Sequence, residues 1–316
     1  MTGTKTEFGE KLLTEEELHR LALDIIQKMQ AVYDPGRDRI VTPDNVFQPA
    51  VKTGRQELEA FQLRLFLPGS RIDGLENLDH CLEEMDRGRR IVFLPEHRGN
   101  LDVPSFNALL TREDARYAPI SDRLVYVAGR KLNESSEFIK MFTEKYSRLV
   151  IATKREYPPK KTGETDSERE HREAFEKEAG RINRAAFRAM ERLKKDGYIF
   201  VLFPTGGRVL PGQDNLPVKE TTTYLRTFDT AYPISMEGNA LPPSERMEDD
   251  RPVQQRVVFR VGKPLDCKDY LAQRQQAFQA LAGGAQEVDG IDADQFTVNH
   301  IMELLASLRE TGRYPE

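Results

Sequence analysis

The sequence predicts an α/β fold: a mixed, largely parallel sheet flanked by helices, with a small N-terminal helical domain. Two observations carry this. Strand-length apolar runs recur at 90–94, 124–128, 148–152, 198–203 and 256–261, with a weaker one near 231–235. Helical stretches separate several of them, and such alternation marks helices packed on a largely parallel sheet. A third observation sets the domain boundary. Ahead of residue 73 the pattern is helical only, which predicts a domain over 1–72 and an α/β domain over 73–316.

The first helix is read from Leu18, Leu21, Ile25, Ile26, Met29 and Val32, a rhythm that keeps one face apolar. Thr14 and Glu17 form a capping-box pattern, so the regular helix is expected from Glu15, and Pro35-Gly36 stops it. A second helix over roughly 54–66 ends at Pro68-Gly69. From Leu75 a helix at 75–87 leads through Gly88 into the strand at 90–94. Further helices are expected at 103–110, 134–146, 170–196, 268–282 and 294–309. The polar, charge-dense segment Lys154–Arg169 reads as a surface loop, either functional or merely solvated. A second polar stretch, Pro242–Pro252, separates the last two strands.

Composition excludes several function classes. The chain has 316 residues, net charge −5 and 31% charged residues with both signs interspersed, so the footprint of a nucleic-acid-binding domain is missing. Two cysteines, Cys81 and Cys267, form no disulfide framework or metal-ligand spacing and suggest a reduced, cytoplasmic setting. His80 precedes Cys81, but neighbours on a helix face different ways, which disfavours a Cys–His nucleophile. The apolar runs fall well short of the ~20 residues of a membrane span, so a soluble or peripheral protein is expected. No metal and no cofactor is expected.

Two segments carry chemistry. Glu96-His97-Arg98-Gly99-Asn100-Leu101-Asp102 follows the run at Ile91–Leu94, and Phe203-Pro204-Thr205-Gly206-Gly207-Arg208 follows the run at Tyr198–Phe203. In an α/β sheet, ligands sit beyond the C-terminal strand ends, so the two segments are expected to meet. A neutral imidazole accepts a proton near pH 7, and a carboxylate on its other ring nitrogen fixes the tautomer. His97 with Asp102 suits that pairing, although Asp102 also suits the N-cap of the helix behind it. Gly206 and Gly207 permit a tight turn whose N–H groups face an anion, and Arg208 adds a planar cationic fork. The alternative is a strand-to-loop turn with an exposed arginine. Lys154 and Arg155, and less so Arg130 and Lys131, follow neighbouring strands and are candidates for the same anion, or simply solvated charges.

Other signatures are missing. The sequence has no Walker loop, no dinucleotide fingerprint, no His-Glu-x-x-His pair and no Gly-x-Ser-x-Gly elbow. His97-Arg98 superficially echoes a kinase catalytic loop, but Gly99 stands where that loop needs aspartate. A base and an anion site without a protein nucleophile favour direct transfer to a substrate hydroxyl.

With those residues in hand, the chain resembles the glycerolipid acyltransferases over about 75–265. The match rests on His97-x4-Asp102, on Phe203–Arg208 and on Tyr232-Pro233-Ile234. It is closest to the soluble, plastid-type glycerol-3-phosphate 1-O-acyltransferases, whose glycine-glycine-arginine loop is similar to Gly206–Arg208. The resemblance implies that His97 deprotonates the sn-1 hydroxyl of glycerol 3-phosphate with Asp102 as its partner. The hydroxyl then attacks the thioester of acyl carrier protein or coenzyme A. It also implies that Arg208, with Lys154 and Arg155, binds the acceptor phosphate. Two departures stand out: Leu210 occupies the position of the family's second arginine, and Gly99-Asn100 replaces its usual polar residues. The alternatives are transfer to 1-acylglycerol 3-phosphate or another hydroxyl or amine, and a non-catalytic lipid- or carrier-binding relative. An acidic carrier protein would need a basic docking face, for which Lys140, Lys145, Lys160 and Lys161 are candidates.

Overall fold

The computed structural model describes residues 8, 11–37, 40–134, 136–208, 217–244 and 249–314. Among these, the strands are β1 (Phe47–Gln48), β2 (Arg71–Asp73), β3 (Ile91–Pro95), β4 (Leu124–Gly129), β5 (Arg148–Ile151), β6 (Ile199–Val201), β7 (Thr230–Glu237), β8 (Val258–Val261) and β9 (Leu265–Asp266). The helices are α1 (Glu15–Ala31), α2 (Arg55–Leu65), α3 (Leu75–Asp86), α4 (Asp102–Glu113), α5 (Ala118–Arg123), α6 (Lys131–Glu134), α7 (Glu137–Thr143), α8 (Asp166–Lys195), α9 (Glu220–Leu225), α10 (Cys267–Ala282) and α11 (Ala293–Thr311). The chain divides into two compact units, Met1–Ile25 with Glu57–Leu124 and Gly197–Glu316, and Ile26–Gln56 with Val125–Asp196. Residues 1–72 contribute to both.

In the first unit, β6, β3 and β7 run parallel, β8 is antiparallel to β7, and β2 is parallel to β8. β3 lies between β6 and β7, and Ile91, Val92, Phe93 and Leu94 are all buried, as expected of a strand covered on both faces. Phe93 meets Phe106 of α4 and Tyr232 of β7 edge-on, and Phe106 meets Phe259 of β8 in the same way. α11 packs against β7, and its Val298, Ile301, Leu304, Leu305 and Leu308 are buried. Capping follows the sequence pattern. The Thr14 amide donates to Glu17 at 2.8 Å and the Glu17 amide to the Thr14 hydroxyl at 3.2 Å.

The weak run near 231–235 turns out to be an eight-residue strand, β7, with seven residues buried. Pro233 obscured it, because proline removes a ladder donor from a central strand. Its carbonyl accepts from the Gly262 amide at 2.8 Å, at the point where β7 changes partner from β9 to β8. The missing N–H therefore falls at a seam.

The second unit pairs β4 with β5 in parallel and β1 with β5 antiparallel. α8 packs along β5, and the Asn183 side chain bonds both the amide and the carbonyl of Ala152, at 2.8 and 2.9 Å. The helix expected at 134–146 is shorter, α7 over Glu137–Thr143, and a separate short helix, α6, ends at Glu134. Ser136 caps α7 by accepting from the Ile139 amide at 3.3 Å, which fixes where that helix starts. The predicted loop Lys154–Arg169 is also shorter. Thr165 and Glu168 form a capping box, so Asp166–Arg169 is the first turn of α8. Lys140 and Lys145 are buried, and Lys145 pairs with Glu144 at 2.8 Å, so neither belongs to a docking face. Lys160 and Lys161 are exposed. Among the described residues, no helix is long and apolar enough to cross a membrane.

Candidate active site

The site is built on the C-terminal end of β3. The chain leaves the sheet at Pro95, turns through 96–101 and enters α4 at Asp102. The N-cap of α4 is Leu101, which makes no side-chain cap, so Asp102 is the first helical residue and not the cap. Its carboxylate reaches backwards. Oδ2 accepts from His97 Nδ1 at 2.9 Å, from the Arg98 amide at 2.7 Å and from the Gly99 amide at 2.9 Å. Three donors on one buried oxygen hold the loop closed, and the negative charge sits favourably in the first turn of a helix. Pro104, also in that turn, needs no intrahelical N–H bond.

With Nδ1–H given to Asp102, the neutral imidazole carries its lone pair on Nε2. That is the form a base requires. The ring stacks on Phe203 at a centroid distance of 4.1 Å and an interplanar angle of 23°, and its side chain stays 19% exposed. Phe203 follows β6, the parallel neighbour of β3, so the two sequence segments meet as expected.

Gly99 has a steric reason. A Cβ there would lie 2.5 Å from both Oδ1 and Nδ2 of Asn239 and 2.8 Å from the Leu241 carbonyl oxygen. Asn239 in turn donates to the Arg98 carbonyl at 2.6 Å. Glu96 anchors the other end of the loop. One oxygen accepts from the Met236 amide at 2.8 Å and the other pairs with Arg309 of α11. Burial pushes the Glu96 carboxyl above its ordinary value, opposed by the Met236 amide and the Arg309 charge.

The Gly-Gly-Arg segment forms a turn. The Gly206 amide donates to the Phe203 carbonyl at 2.8 Å, so Gly206 supplies a left-handed φ of 61° and an internal bond to the turn. The Thr205 hydroxyl donates to the Gly207 carbonyl at 2.7 Å. Arg208 is not simply exposed to solvent, because Nη1 donates to Asp250 Oδ2 at 3.1 Å. The same oxygen accepts from Asn100 Nδ2 at 2.6 Å. Sequence reading missed Asp250, which lies in the polar stretch Pro242–Pro252 with no pattern linking it to residues 42 and 150 positions earlier. Leu210 lies outside the described residues.

Lys154 and Arg155 belong to the second unit, exposed on a short 3-10 turn after β5. A Thr153–Glu156 capping box forms that turn, and Arg130 pairs with Glu156 at 2.9 Å while lying over Phe175. Arg130 is thus an internal partner and not a solvated charge. The Cys–His alternative has no geometry to support it. Burial pushes the Cys81 thiol far up, and His80 hydrogen-bonds the Tyr232 hydroxyl at 2.8 Å. A cavity of about 440 Å³ lined by Gln275, Phe278 and Ala293 shares no residue with the site.

No family model matches the chain, and no curated protein matches it. Among solved structures, the chain is similar to the crystal structure of the 1-acyl-sn-glycerophosphate (LPA) acyltransferase PlsC from Thermotoga maritima. The TM-score is 0.41 at 15% identity, covering 92% of this chain and 89% of that one. Likeness at this level fixes neither a family nor a reaction.

Two expectations follow from this geometry. Gly99→Ala should cost about 1–3 kcal/mol of stability in urea denaturation, the usual range for overpacking; wild-type stability would mean that the loop does not approach Asn239. Glu96 gives a pH signature. A carboxyl raised in the folded state favours folding below the unfolded value of about 4.3 and loses that contribution as pH rises through the folded value. The unfolding free energy of the wild type relative to Glu96→Gln should therefore fall as pH rises from about 4. A pH-independent difference would place Glu96 at its ordinary value.

Proposed function

We propose that the chain is an acyltransferase of the glycerolipid type. It moves a fatty acyl group from acyl carrier protein or coenzyme A to the sn-1 hydroxyl of glycerol 3-phosphate, giving lysophosphatidate. The observation that carries this reading is the His97 Nδ1–Asp102 hydrogen bond of 2.9 Å beside an arginine joined to the same loop through Asp250. His97 Nε2 takes the hydroxyl proton as the oxygen attacks the thioester carbonyl. The C–O bond forms, the C–S bond breaks, and the thiolate leaves with the proton that His97 returns. Asp102 stabilises the imidazolium between those steps. Arg208 holds the acceptor phosphate. Gly206 and Gly207 shape the loop that carries Arg208. The chemistry needs no metal and no cofactor beyond the acyl thioester.

Leu210 favours a second reading. The loop has one arginine fewer than the soluble enzymes it resembles, which suits another phosphorylated acceptor such as 1-acylglycerol 3-phosphate.

Radiolabelled glycerol 3-phosphate and, in parallel, radiolabelled lysophosphatidate as acceptors, each with acyl-carrier-protein and acyl-CoA donors, test both. Lysophosphatidate is expected, and His97→Ala should lower its formation by about 10²–10⁴, the usual contribution of a general base. Product from lysophosphatidate alone would select the second reading. No product from any pairing would end the acyl-transfer proposal, and undiminished turnover in His97→Ala would remove His97 from the mechanism.

A further inference from the structure

We propose that Asp250 is a positioning residue. It clasps Arg208 to the His97–Asp102 loop, so that a phosphate on the guanidinium lies in register with the imidazole. The inference rests on the acyl-transfer reading above and adds to it a residue that neither the motifs nor the resemblance contains.

The Asp250 side chain is 1% exposed, yet its carboxylate is saturated. Oδ2 accepts from Asn100 Nδ2 at 2.6 Å and from Arg208 Nη1 at 3.1 Å. Oδ1 accepts from the Ser244 amide at 2.6 Å and the Ser244 hydroxyl at 2.7 Å. A carboxylate offers about four acceptor directions, and all four are used. The donors come from three separate segments. Asn100 lies within the base loop, two residues before Asp102; Arg208 ends the Gly-Gly-Arg turn; Ser244 belongs to the same β7–β8 connection as Asp250. Among the described residues, Asp250 lies in no strand and caps none of the α-helices. What it joins is the two segments that carry the proposed chemistry.

The clasp has a definite effect on anion binding. A guanidinium is a rigid planar fork, so one fixed N–H···O contact restricts the orientation of the rest. Asp250 engages it at Nη1, and that contact limits the directions from which a phosphate can approach. The shared oxygen sets the distance between that approach and His97, because Asn100 is covalently part of the base loop. Ser244 holds the carboxylate from the far side, so that it does not turn away when an anion arrives. The pair also explains Asn100, which departs from the residues expected in the box: an amide N–H₂ donates to a buried carboxylate, where an acidic residue would repel it.

The test uses the full-length protein and two readouts. Isothermal calorimetry with inorganic phosphate measures the anion site without turnover. Steady-state kinetics compares glycerol 3-phosphate with glycerol, which lacks the phosphate. Asp250→Asn should weaken phosphate binding and raise the glycerol 3-phosphate KM by about tenfold or more, with the donor KM and the glycerol reaction changed less than about threefold. Asn100→Ala keeps the Asp250–Arg208 pair. It should therefore retain phosphate affinity while kcat with glycerol 3-phosphate falls, and it serves as the second variant should Asp250→Asn fail to fold. Unchanged phosphate binding in Asp250→Asn, or an equal loss with both acceptors, would overturn the proposal. So would an Asn100→Ala protein with wild-type kcat. Absence of acyl transfer by the wild type would instead defeat the reading beneath it, which the phosphate measurement keeps separate.

Discussion

A single carboxylate oxygen, Asp102 Oδ2, holds the geometry on which the rest of the site depends. It receives the imidazole N–H and two successive backbone amides, so the loop from His97 to α4 has one way to close. The arrangement serves two purposes at once. Amides that would otherwise be orphaned at the end of a buried strand find an acceptor. The same contact selects the imidazole tautomer that leaves Nε2 basic. Beneath it, Ile91–Leu94 of β3 are buried between two parallel neighbours, so the loop departs from a strand paired on both edges.

Three buried carboxylates surround that loop, each with its own partners. Glu96 holds the entry through Met236 and Arg309, Asp102 holds the exit, and Asp250 ties the middle, through Asn100, to Arg208. Burying charge is costly unless every charge is paired or hydrogen-bonded. Here the partners include backbone amides fixed by the sheet and arginines brought from distant parts of the sequence. Such pairing adds less to stability than to uniqueness, because each contact excludes alternative loop conformations. Gly99 completes the constraint by admitting Asn239 where any side chain would collide.

The second unit shows how misleading charge can be when read from sequence. Lys140, Lys145 and Arg130 all look like candidates for binding an acidic or phosphorylated partner. Lys140 and Lys145 are buried, and Arg130 is matched to Glu156 within the unit. Lys154 and Arg155 differ, since both are exposed on a turn that a capping box and that same ion pair fix in shape. A charged residue after a strand thus has two fates, and its neighbours in space choose between them.

The sequence by itself determined the elements whose signals are local. Apolar runs located β3, β4, β5 and β8, capping residues placed the start of α1, and the His97-x4-Asp102 spacing announced the imidazole–carboxylate hydrogen bond. A five-residue offset across a turn is short enough for local geometry to close it. Tertiary structure decided what depends on distant chain. It made a buried strand of β7 despite Pro233, because the missing donor falls at a seam between two partners. It shortened the helix expected at 134–146 to Glu137–Thr143, capped by Ser136, a residue that reads equally well inside a helix or at its cap. It also brought Asp250 to Arg208 and Asn100, across 42 and 150 residues. No period or spacing encodes that meeting. It follows from the order of strands in the sheet, which is settled by how whole faces pack and not by any residue's nearest neighbours.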